Sequence, residues 1–430
     1  MGDNPTTIKV LLLAPTGTAV HNIHGVTIHS ALQLQLGQHG KSYQKLDNEK
    51  CNSLRCKLSD LQLIIIDEIS MVGSDLLLQV HRRLQEIFQS DLDFAGISMI
   101  TFEDLYQLPP VCQKFVVQSP SDEYARLCMN LWDNFKLIEL TEIMRQKDDA
   151  DFAKHLNRVR DGSHTVKDIN ILQTRNSEGE HHDMLHVYTT NAQVDSYSAQ
   201  KLSELSGTLH LLCAIDTVPE TMNQKQLPDD PRFTGSLTSS IELKIGTRVM
   251  LTRNSDVSGG FSNGIQGHIV GFIFRDQVAM AVLIKFSDTN IGKETRLRCK
   301  YDLSNFPQYS VPIERIEAIF SLSTSKKNIQ ATRNQFPIRL YWACTVHKIQ
   351  GQSLEQVYIS FEGNFTNGQS HVALSRATSL NWLFLSEFSK TKICVSSVVK
   401  KEITRLRQIQ TDEPLLFKET NIDNILVSLI

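Results

Sequence analysis

The stretch LQLIIIDEISM, residues 61–71, combines a continuous apolar run with two acidic residues. Its aliphatic run from Leu61 to Ile66 is as long as one strand, and it is apolar almost throughout. Such a run indicates a strand that is buried on both faces, as in a parallel sheet. Asp67 and Glu68 follow it directly. The pattern therefore predicts two carboxylates at the carboxyl edge of a sheet, where folds of this class bind ligands.

Paired carboxylates at such an edge suit nucleotide hydrolysis. One carboxylate can hold Mg²⁺ beside the phosphates, and the next can orient or deprotonate the attacking water. An acidic loop end after a strand is the alternative, and this stretch alone does not separate the two interpretations.

The surrounding sequence continues the α/β pattern. We predict further buried strands at 8–14 and 97–102. Between them a helix that begins near Ser74 carries one apolar face, which is formed by Leu76, Leu77, Val80, Leu84, Ile87 and Phe88. Alternation of this kind predicts an α/β layer with helices on both sides of a sheet.

A second α/β segment follows Leu140. Phe152, Leu156 and Val159 share a helix face that stops at Gly162, and LHVYTT leads into a helix capped by Asn191. Residues 215–240 are polar and contain prolines, so we interpret them as a linker. From 243 to 286 the apolar runs are short and broken by glycine, which predicts a small antiparallel barrel inserted into the second α/β domain.

The composition excludes several classes of protein. With 430 residues and 41% hydrophobic content, the chain is long enough for two or three domains. The net charge of −3 excludes a histone-like basic binder. The eight cysteines include no C-x-x-C pair, so we expect neither a zinc cluster nor a disulfide framework. No apolar run approaches the length of a membrane span, and we expect no membrane partner.

Other stretches add side chains that suit phosphoryl transfer. TFEDLYQLPPV offers Gln107, whose amide could sense a γ-phosphate, and LTEIMRQ and HVALSRATSL offer Arg145 and Arg376. Arginines facing a magnesium nucleotide would stabilise charge in the transition state, although surface ion pairing is the ordinary use of an arginine. The loop TVHKIQGQSL could contact phosphates through its polar and small residues, Thr345, His347, Lys348, Gln350 and Gly351.

Taken together, these stretches resemble the Pif (petite integration frequency) branch of superfamily 1 DNA helicases, and most of all the helicase region of Helitron-type transposons. The resemblance covers about residues 8–390 and rests on ordered motifs Ia to VI, which match LLLAPTGTAVHNIHGVTIHSAL, LIIIDEISMV, EDLYQLPPV, LTEIMRQ, VHKIQGQSLEQV and VALSRATSL. It implies two RecA-like P-loop NTPase-type domains with a small SH3-like 2B barrel. The expected boundaries are a first RecA-like domain at 1–137 with a 1B-like insertion near 33–57, a second RecA-like domain at 138–242 and 291–405, a 2B insertion at 243–290 and a tail at 406–430.

The resemblance also implies a role for each matching residue. Asp67 would bind Mg²⁺, Glu68 would activate water, and Gln107 would couple to the γ-phosphate of ATP. Arg145 and Arg376 would supply positive charge, with Arg376 as the arginine finger, and Gln350 and Gly351 would adjoin the nucleotide. Single-stranded DNA would lie along residues from both domains, namely Pro15, Thr16, Thr27, His29, Thr345, His347 and Lys348. The implied activity is ATP-dependent translocation from 5′ to 3′ by a monomer on single strands and forks. It implies a place in the nucleus or the mitochondrion, in repair, recombination or telomere maintenance.

Three departures from the family pattern bear on activity. Thr18 stands where the family usually has Lys, and Glu103 where it has Gly. The third is that the sequence contains no G-x-x-x-x-G-K-[ST] loop. The stretch QLGQHGKS, residues 35–42, supplies only the second half of that pattern and follows motif Ia, so we interpret it as a loop. We therefore expect poor ATP binding and an N-terminally truncated first domain. The alternative function is a catalytically inactive nucleic-acid-binding remnant of a transposon helicase, whereas a small P-loop kinase would not explain the later arginines.

Overall fold

The computed structural model describes residues 8–35, 43–102, 104–121, 130–177, 184–218, 227–228, 230–253, 261, 263–324 and 327–412. Its strands are β1 Val10–Ala14, β2 Val26–Thr27, β3 Leu63–Ile66, β4 Ser98–Thr101, β5 Leu185–Tyr188, β6 His210–Cys213, β7 Ile215–Thr217, β8 Ser240–Leu243, β9 Arg248–Leu251, β10 Gln266–Arg275, β11 Val278–Phe286, β12 Val311–Glu314, β13 Ile316–Thr324, β14 Lys327–Gln335, β15 Ile338–Leu340, β16 Ala343–Thr345, β17 Val357–Ser360 and β18 Leu383–Ser386. Its α-helices are α1 Gly17–Asn22, α2 Ile28–Ala31, α3 Asn48–Lys57, α4 Ser74–Phe88, α5 Ala150–Asp161, α6 Val166–Gln173, α7 Asn191–Glu204, α8 Lys293–Leu297, α9 Gln369–Leu374 and α10 Ser397–Asp412.

The chain divides into two compact units, residues 1–182 with 346–430, and residues 183–345. These limits differ from the predicted domains, because the segment that contains motifs V and VI clusters with the N-terminal part of the chain. None of the helices in the described ranges is long and apolar enough to cross a membrane.

The first unit is built on a parallel sheet with strand order β2-β1-β3-β4. Strands β1 and β3 are the aliphatic runs that the sequence predicts to be buried, and Leu13 and Ile66 are fully buried partners in register. Helix α4 begins at Ser74, as predicted, and buries Leu76, Leu77, Val80, Leu84 and Ile87 in the same core. Each element thus follows from a continuous apolar run or from an apolar stripe at helical spacing.

The C-terminal helix α10 also belongs to this core. Its residues Val399, Ile403 and Leu406 pack in one cluster with Trp132. The indole Nε1 of Trp132 donates to Glu402 Oε1 at 2.8 Å. The helix continues to Asp412, so part of the predicted tail at 406–430 is packed helix, because Leu406 extends the apolar stripe of α10.

The second unit contains an antiparallel sheet with strand order β12-β11-β10-β9-β15. Strands β9, β10 and β11 match the predicted β-rich runs. The sheet extends beyond the predicted limit at residue 290, because β12 pairs with β11 and β15 pairs with β9. A hairpin of β13 and β14 follows β12.

Two smaller sequence predictions in this unit are wrong. The predicted linker contains strand β7, which pairs with β14. Helix α7 is capped by Thr190 and not by Asn191, because the Thr190 hydroxyl accepts from Gln193 N while the Gln193 side chain accepts from Thr190 N. This reciprocal capping box satisfies two free N–H groups at once.

Candidate nucleotide and DNA site

The carboxyl ends of the parallel strands gather most of the predicted N-terminal site residues. Leu13 of β1 pairs with Ile66 of β3, and Ile66 pairs with Thr101 of β4. The segments that follow these three strands therefore leave the same edge of the sheet. They contain Pro15 and Thr16, Asp67 and Glu68, and the turn that leads to Gln107.

Glu68 lies in a backbone conformation that non-glycine residues rarely adopt. Its φ and ψ are 53° and 47°, in the left-handed region, and it precedes the short 3-10 turn Ile69–Met71. Conformations of this kind cost of order 1–3 kcal/mol and cluster at functional sites. The turn redirects the chain directly after β3, which places the Glu68 carboxylate at the sheet edge.

The Glu68 carboxylate contacts a residue of motif V. Gln350 Nε2 donates to Glu68 Oε2 at 2.6 Å, and Gln350 is 5% exposed. Burial raises the pKa of Glu68 above its usual range; the Gln350 hydrogen bond opposes this, and the charges of Arg376 and Arg145 oppose it further. Burial likewise raises the pKa of Asp67, opposed by the backbone N–H of Glu68. The structure thus brings motifs II, V and VI and Arg145 into one electrostatic environment.

Arg376 is buried, with 1% of its surface exposed. Its guanidinium donates to Val372 O at 2.9 Å, Gln352 O at 3.3 Å and Ser375 Oγ at 2.8 Å. A planar fork held by several acceptors is rigid, which is the property that a charge stabiliser in phosphoryl transfer requires. The alternative interpretation of Arg376 as a surface ion-pair residue is wrong, because the side chain is buried.

Arg145 and its neighbour Gln146 hold the segment that contains Arg376. Arg145 Nε donates to Ser353 Oγ at 2.8 Å and its Nη1 to Ser375 O at 3.5 Å. Gln146 Nε2 donates to Ser375 O at 3.1 Å and to Ala377 O at 2.7 Å. Burial lowers the pKa of Arg145, while Glu68 opposes that shift. Gln146 was not among the predicted site residues, although its position beside Arg145 was a signal for it.

Gln107 lies in a turn that packs against the start of α9. Its Oε1 is buried and has no hydrogen-bond partner among the described residues. A Cβ added to Gly368 would lie 2.2 Å from Gln107 O, so only glycine permits this approach. The Oε1 of Gln350 is also buried without a partner in the part of the chain that the structure describes. Both unsatisfied amide oxygens are groups that a ligand could engage, and the one of Gln350 belongs to the side chain that contacts Glu68.

The predicted DNA-contacting residues of the first motif lie at the same sheet edge. The register of β1 and β2 places Thr27 opposite Ala14, directly before Pro15 and Thr16. Thr16 Oγ1 accepts from Ala19 N at 3.3 Å, and Thr27 Oγ1 accepts from Ser30 N at 3.2 Å. Both hydroxyls therefore act as local caps, and each keeps its O–H as a donor. His29 is half-buried in α2.

The predicted DNA contacts of motif V differ in exposure. Thr345 ends β16 and is 8% exposed, which leaves it little surface to offer to a strand of DNA. His347 is half-buried and Lys348 is exposed. Burial lowers the pKa of His347 and favours its neutral ring. Gly351 follows with a φ of 77°, in the left-handed region. Among the predicted DNA contacts, Lys348 is the exposed cation.

The donor set fits a magnesium nucleotide in part. In the described ranges no three His, Cys, Asp or Glu side chains converge as a metal group. Mg²⁺ in nucleotide enzymes is held by one or two carboxylates together with substrate phosphates. Asp67 and the paired Glu68 meet that requirement. Residues 36–42 of QLGQHGKS and the residues Glu103 and 413–430 lie outside the described residues.

Two family models match parts of this chain. The family model described as PIF1-like helicase matches residues 4–170, and the model for the 2B domain of DNA helicase Pif1 matches residues 233–272. The second match overlaps the antiparallel sheet of the second unit.

Two relatives match this chain over nearly all of its length. It is 30% identical to the ATP-dependent DNA helicase PIF1 of Xenopus laevis over 96% of this chain and 59% of that protein. The human protein of the same name is 30% identical over 90% of this chain and 55% of that protein. The chain thus spans little more than half the length of these curated relatives.

Solved structures show the same fold. The crystal structure of Pif1 helicase from Candida albicans has a TM-score of 0.73 and 26% identity, covering 94% of this chain and 89% of that one. Pif1 helicase from Bacteroides in complex with ADP-AlF3 and ssDNA has a TM-score of 0.68 and 25% identity, covering 96% and 89%. The two RecA-like domains and the 2B barrel expected from the sequence are the fold of these neighbours. The chain belongs to the family of PIF1-like helicases.

Proposed function

We propose that this chain acts as an ATP-dependent DNA helicase that moves from 5′ to 3′ along single-stranded DNA. The observation that carries the proposal is the hydrogen bond of 2.6 Å between Glu68 and Gln350, with Arg376 and Arg145 close enough to lower the pKa of Glu68. Residues of four separate motifs meet there in the combination that phosphoryl transfer requires.

In this proposal each residue has one task. Asp67 holds Mg²⁺, and Glu68 orients the attacking water. The metal, when bound, neutralises charge that develops on the phosphates. Arg376 and Arg145 stabilise the remaining negative charge, and Gln107 contacts the γ-phosphate. Gln350 holds the Glu68 carboxylate in place, while Gly351 lets the loop approach the nucleotide.

DNA binding is assigned to the edge formed by Pro15, Thr16, Thr27 and His29, and to Thr345, His347 and Lys348. Contacts of hydroxyls, rings and one exposed lysine are directed at the backbone and at stacked bases. Such binding is sensitive to salt and has little sequence preference. Single strands and forks are the proposed partners. A similar solved structure is of DNA unwinding at forked dsDNA by two coordinating Pif1 helicases. We propose a monomer as the unit that binds one strand.

The biological setting is proposed from the family alone. It places the protein in the nucleus, with the mitochondrion as the alternative, and in repair, recombination or telomere maintenance. Descent from a Helitron-type transposon is part of the same proposal.

A second candidate function is a nucleic-acid-binding protein without ATP turnover. The observation that favours it is the lack of a G-x-x-x-x-G-K-[ST] loop within these 430 residues. In this family, backbone amides and a lysine of that loop cradle the phosphates. Under this candidate the chain binds ATP too weakly for turnover.

ATP hydrolysis with and without an oligothymidine strand separates the two candidates. The helicase proposal predicts turnover that the strand stimulates and that Glu68→Gln abolishes, because the amide cannot act as a base. Binding of the strand is measured by fluorescence anisotropy in the same samples. Binding without any turnover supports the second candidate, and turnover that survives in Glu68→Gln contradicts the assignment of Glu68.

A further inference from the structure

A carboxylate outside the predicted site organises the turn that contains Gln107. Asp104 lies between β4 and Gln107, and its backbone oxygen accepts from Gln107 N at 2.8 Å. Its Oδ1 accepts from Tyr106 N at 3.1 Å. An aspartate that bonds the backbone two residues ahead fixes a turn. The conformation of the Gln107 turn therefore depends on the orientation of one side chain.

The other oxygen of that carboxylate faces two helices. Arg160 of α5 donates through Nε to Asp104 Oδ2 at 2.6 Å, and its guanidinium lies 5.0 Å from the centre of the Tyr106 ring. His371 of α9 places its Nε2 at 3.6 Å from the same Oδ2. Asp104 thus joins the turn to α5 and α9 at one atom.

Helix α9 leads directly to the buried arginine. The backbone oxygen of His371 accepts from Ser375 N at 2.9 Å. Ser375 Oγ and Val372 O are two of the acceptors that hold the Arg376 guanidinium. A change in the position of His371 therefore reaches Arg376 within one helical turn.

The charge balance shows that this contact is well satisfied. Burial alone would raise the pKa of Asp104, but its interactions with His371 and Arg160 hold that pKa well below the usual range. Burial lowers the pKa of His371. A half-buried carboxylate that stays ionised beside a bound guanidinium is held in one orientation.

We infer that Asp104 is a positioning residue that sets the distance between the Gln107 turn and the Arg376 helix, with Arg160 and His371 as its partners. This inference rests on the proposed function, since it assigns Asp104 to the same nucleotide site. Asp104 orients Gln107 through its own turn and Arg376 through α9. Displacement of a catalytic group by about 1 Å costs up to about 100-fold in rate.

The first test is steady-state ATP turnover with single-stranded DNA. Asp104→Asn keeps the size of the side chain but removes the charge that holds Arg160. The expected result is a fall in kcat of about tenfold or more, with KM for ATP and Kd for the strand within about twofold of the parent. Asp161→Asn, on the same helix as Arg160, is the matched control and should leave kcat unchanged. The inference is overturned if kcat is unchanged in Asp104→Asn, or if KM for ATP changes in that variant by the same factor as kcat.

The second test does not require turnover. Hydrogen exchange is measured on residues 105–108 and 372–376 in Arg160→Gln and Arg160→Lys. We expect both segments to exchange faster in Arg160→Gln than in the parent protein. In Arg160→Lys the exchange rates should return to those of the parent, because lysine restores the charge beside Asp104. Faster exchange in only one of the two segments overturns the inference. A parent protein without turnover whose two segments respond together refutes the proposed function and leaves the positioning role intact.

Discussion

Replacement of Gln350 by methionine tests the contact on which the candidate site depends. The substitution keeps the length of the side chain and removes the donor that lies 2.6 Å from Glu68 Oε2. A hydrogen bond to a charged group contributes about 1.5–3 kcal/mol to stability. The substitution also removes Gln350 Oε1, a buried acceptor without a hydrogen-bond partner among the described residues. Removal of such an acceptor stabilises the protein and offsets part of the lost hydrogen-bond energy. We expect the free energy of unfolding to fall by about 1–2 kcal/mol at about pH 8.

The pH dependence of this effect has a defined sign. Burial raises the pKa of Glu68 in the folded protein. The ionised carboxylate therefore destabilises the folded state, and the cost is absent below the unfolded pKa and grows as the pH rises through the folded pKa. Loss of the Gln350 donor raises the pKa of Glu68 further. The deficit of Gln350→Met must then be larger at about pH 8 than at about pH 5.

Urea unfolding at the two pH values measures the deficit. Gln352→Met is the matched control, since the side-chain amide of Gln352 makes an exposed hydrogen bond of 3.1 Å to Lys348 O rather than to Glu68. It should change stability by less than about 0.5 kcal/mol. A deficit in Gln350→Met that is the same at both pH values would refute the role of Glu68 ionisation. The absence of any deficit would refute the contact itself.

Two further substitutions test the packing around the site. Gly368→Ala should destabilise the protein by about 1–3 kcal/mol in urea unfolding and reduce turnover, because the new Cβ would lie 2.2 Å from Gln107 O. Gly207→Ala is the control, because a Cβ added there has no atom within 4 Å. Equal losses of stability in the two variants would exclude the contact with Gln107. Trp132→Phe should lower the free energy of unfolding by about 1–2 kcal/mol, because it removes the hydrogen bond to Glu402 that joins α10 to the first core. Trp382→Phe is the control and should change this free energy little, because Trp382 is 48% exposed. An unchanged free energy of unfolding in Trp132→Phe would show that this hydrogen bond does not hold α10.

The sequence predicts those parts of the fold that depend on local pattern. The runs that became β1 and β3 and the apolar face of α4 are visible because burial requires continuous or helical apolar spacing. The run at 97–102 also forms a strand, β4, but its predicted burial is wrong, because β4 ends the strand order and its residues are exposed or half-buried. The cap of α7 was assigned one residue late, since Thr190 and Asn191 are both good capping residues and only the side-chain geometry chooses between them.

Long-range pairing could not be predicted in the same way. Strands β12 and β15 join β11 and β9 across many residues of sequence, and nothing in their own pattern names their partners. The residues Asp67, Glu68, Gln350 and Arg376 were predicted because they lie in stretches that match family motifs. Asp104, Arg160 and His371 were missed, because each has an ordinary structural interpretation until the fold brings their side chains together.

DNA-stimulated ATP hydrolysis by this chain, compared with Glu68→Gln, is the decisive measurement of the proposed helicase function. We expect slow turnover at millimolar ATP that a single strand increases and that Glu68→Gln removes, while the affinity for the strand is unchanged. Turnover that does not depend on Glu68, or the absence of turnover in a parent protein that binds the strand, would contradict the assignment of these residues to a working helicase.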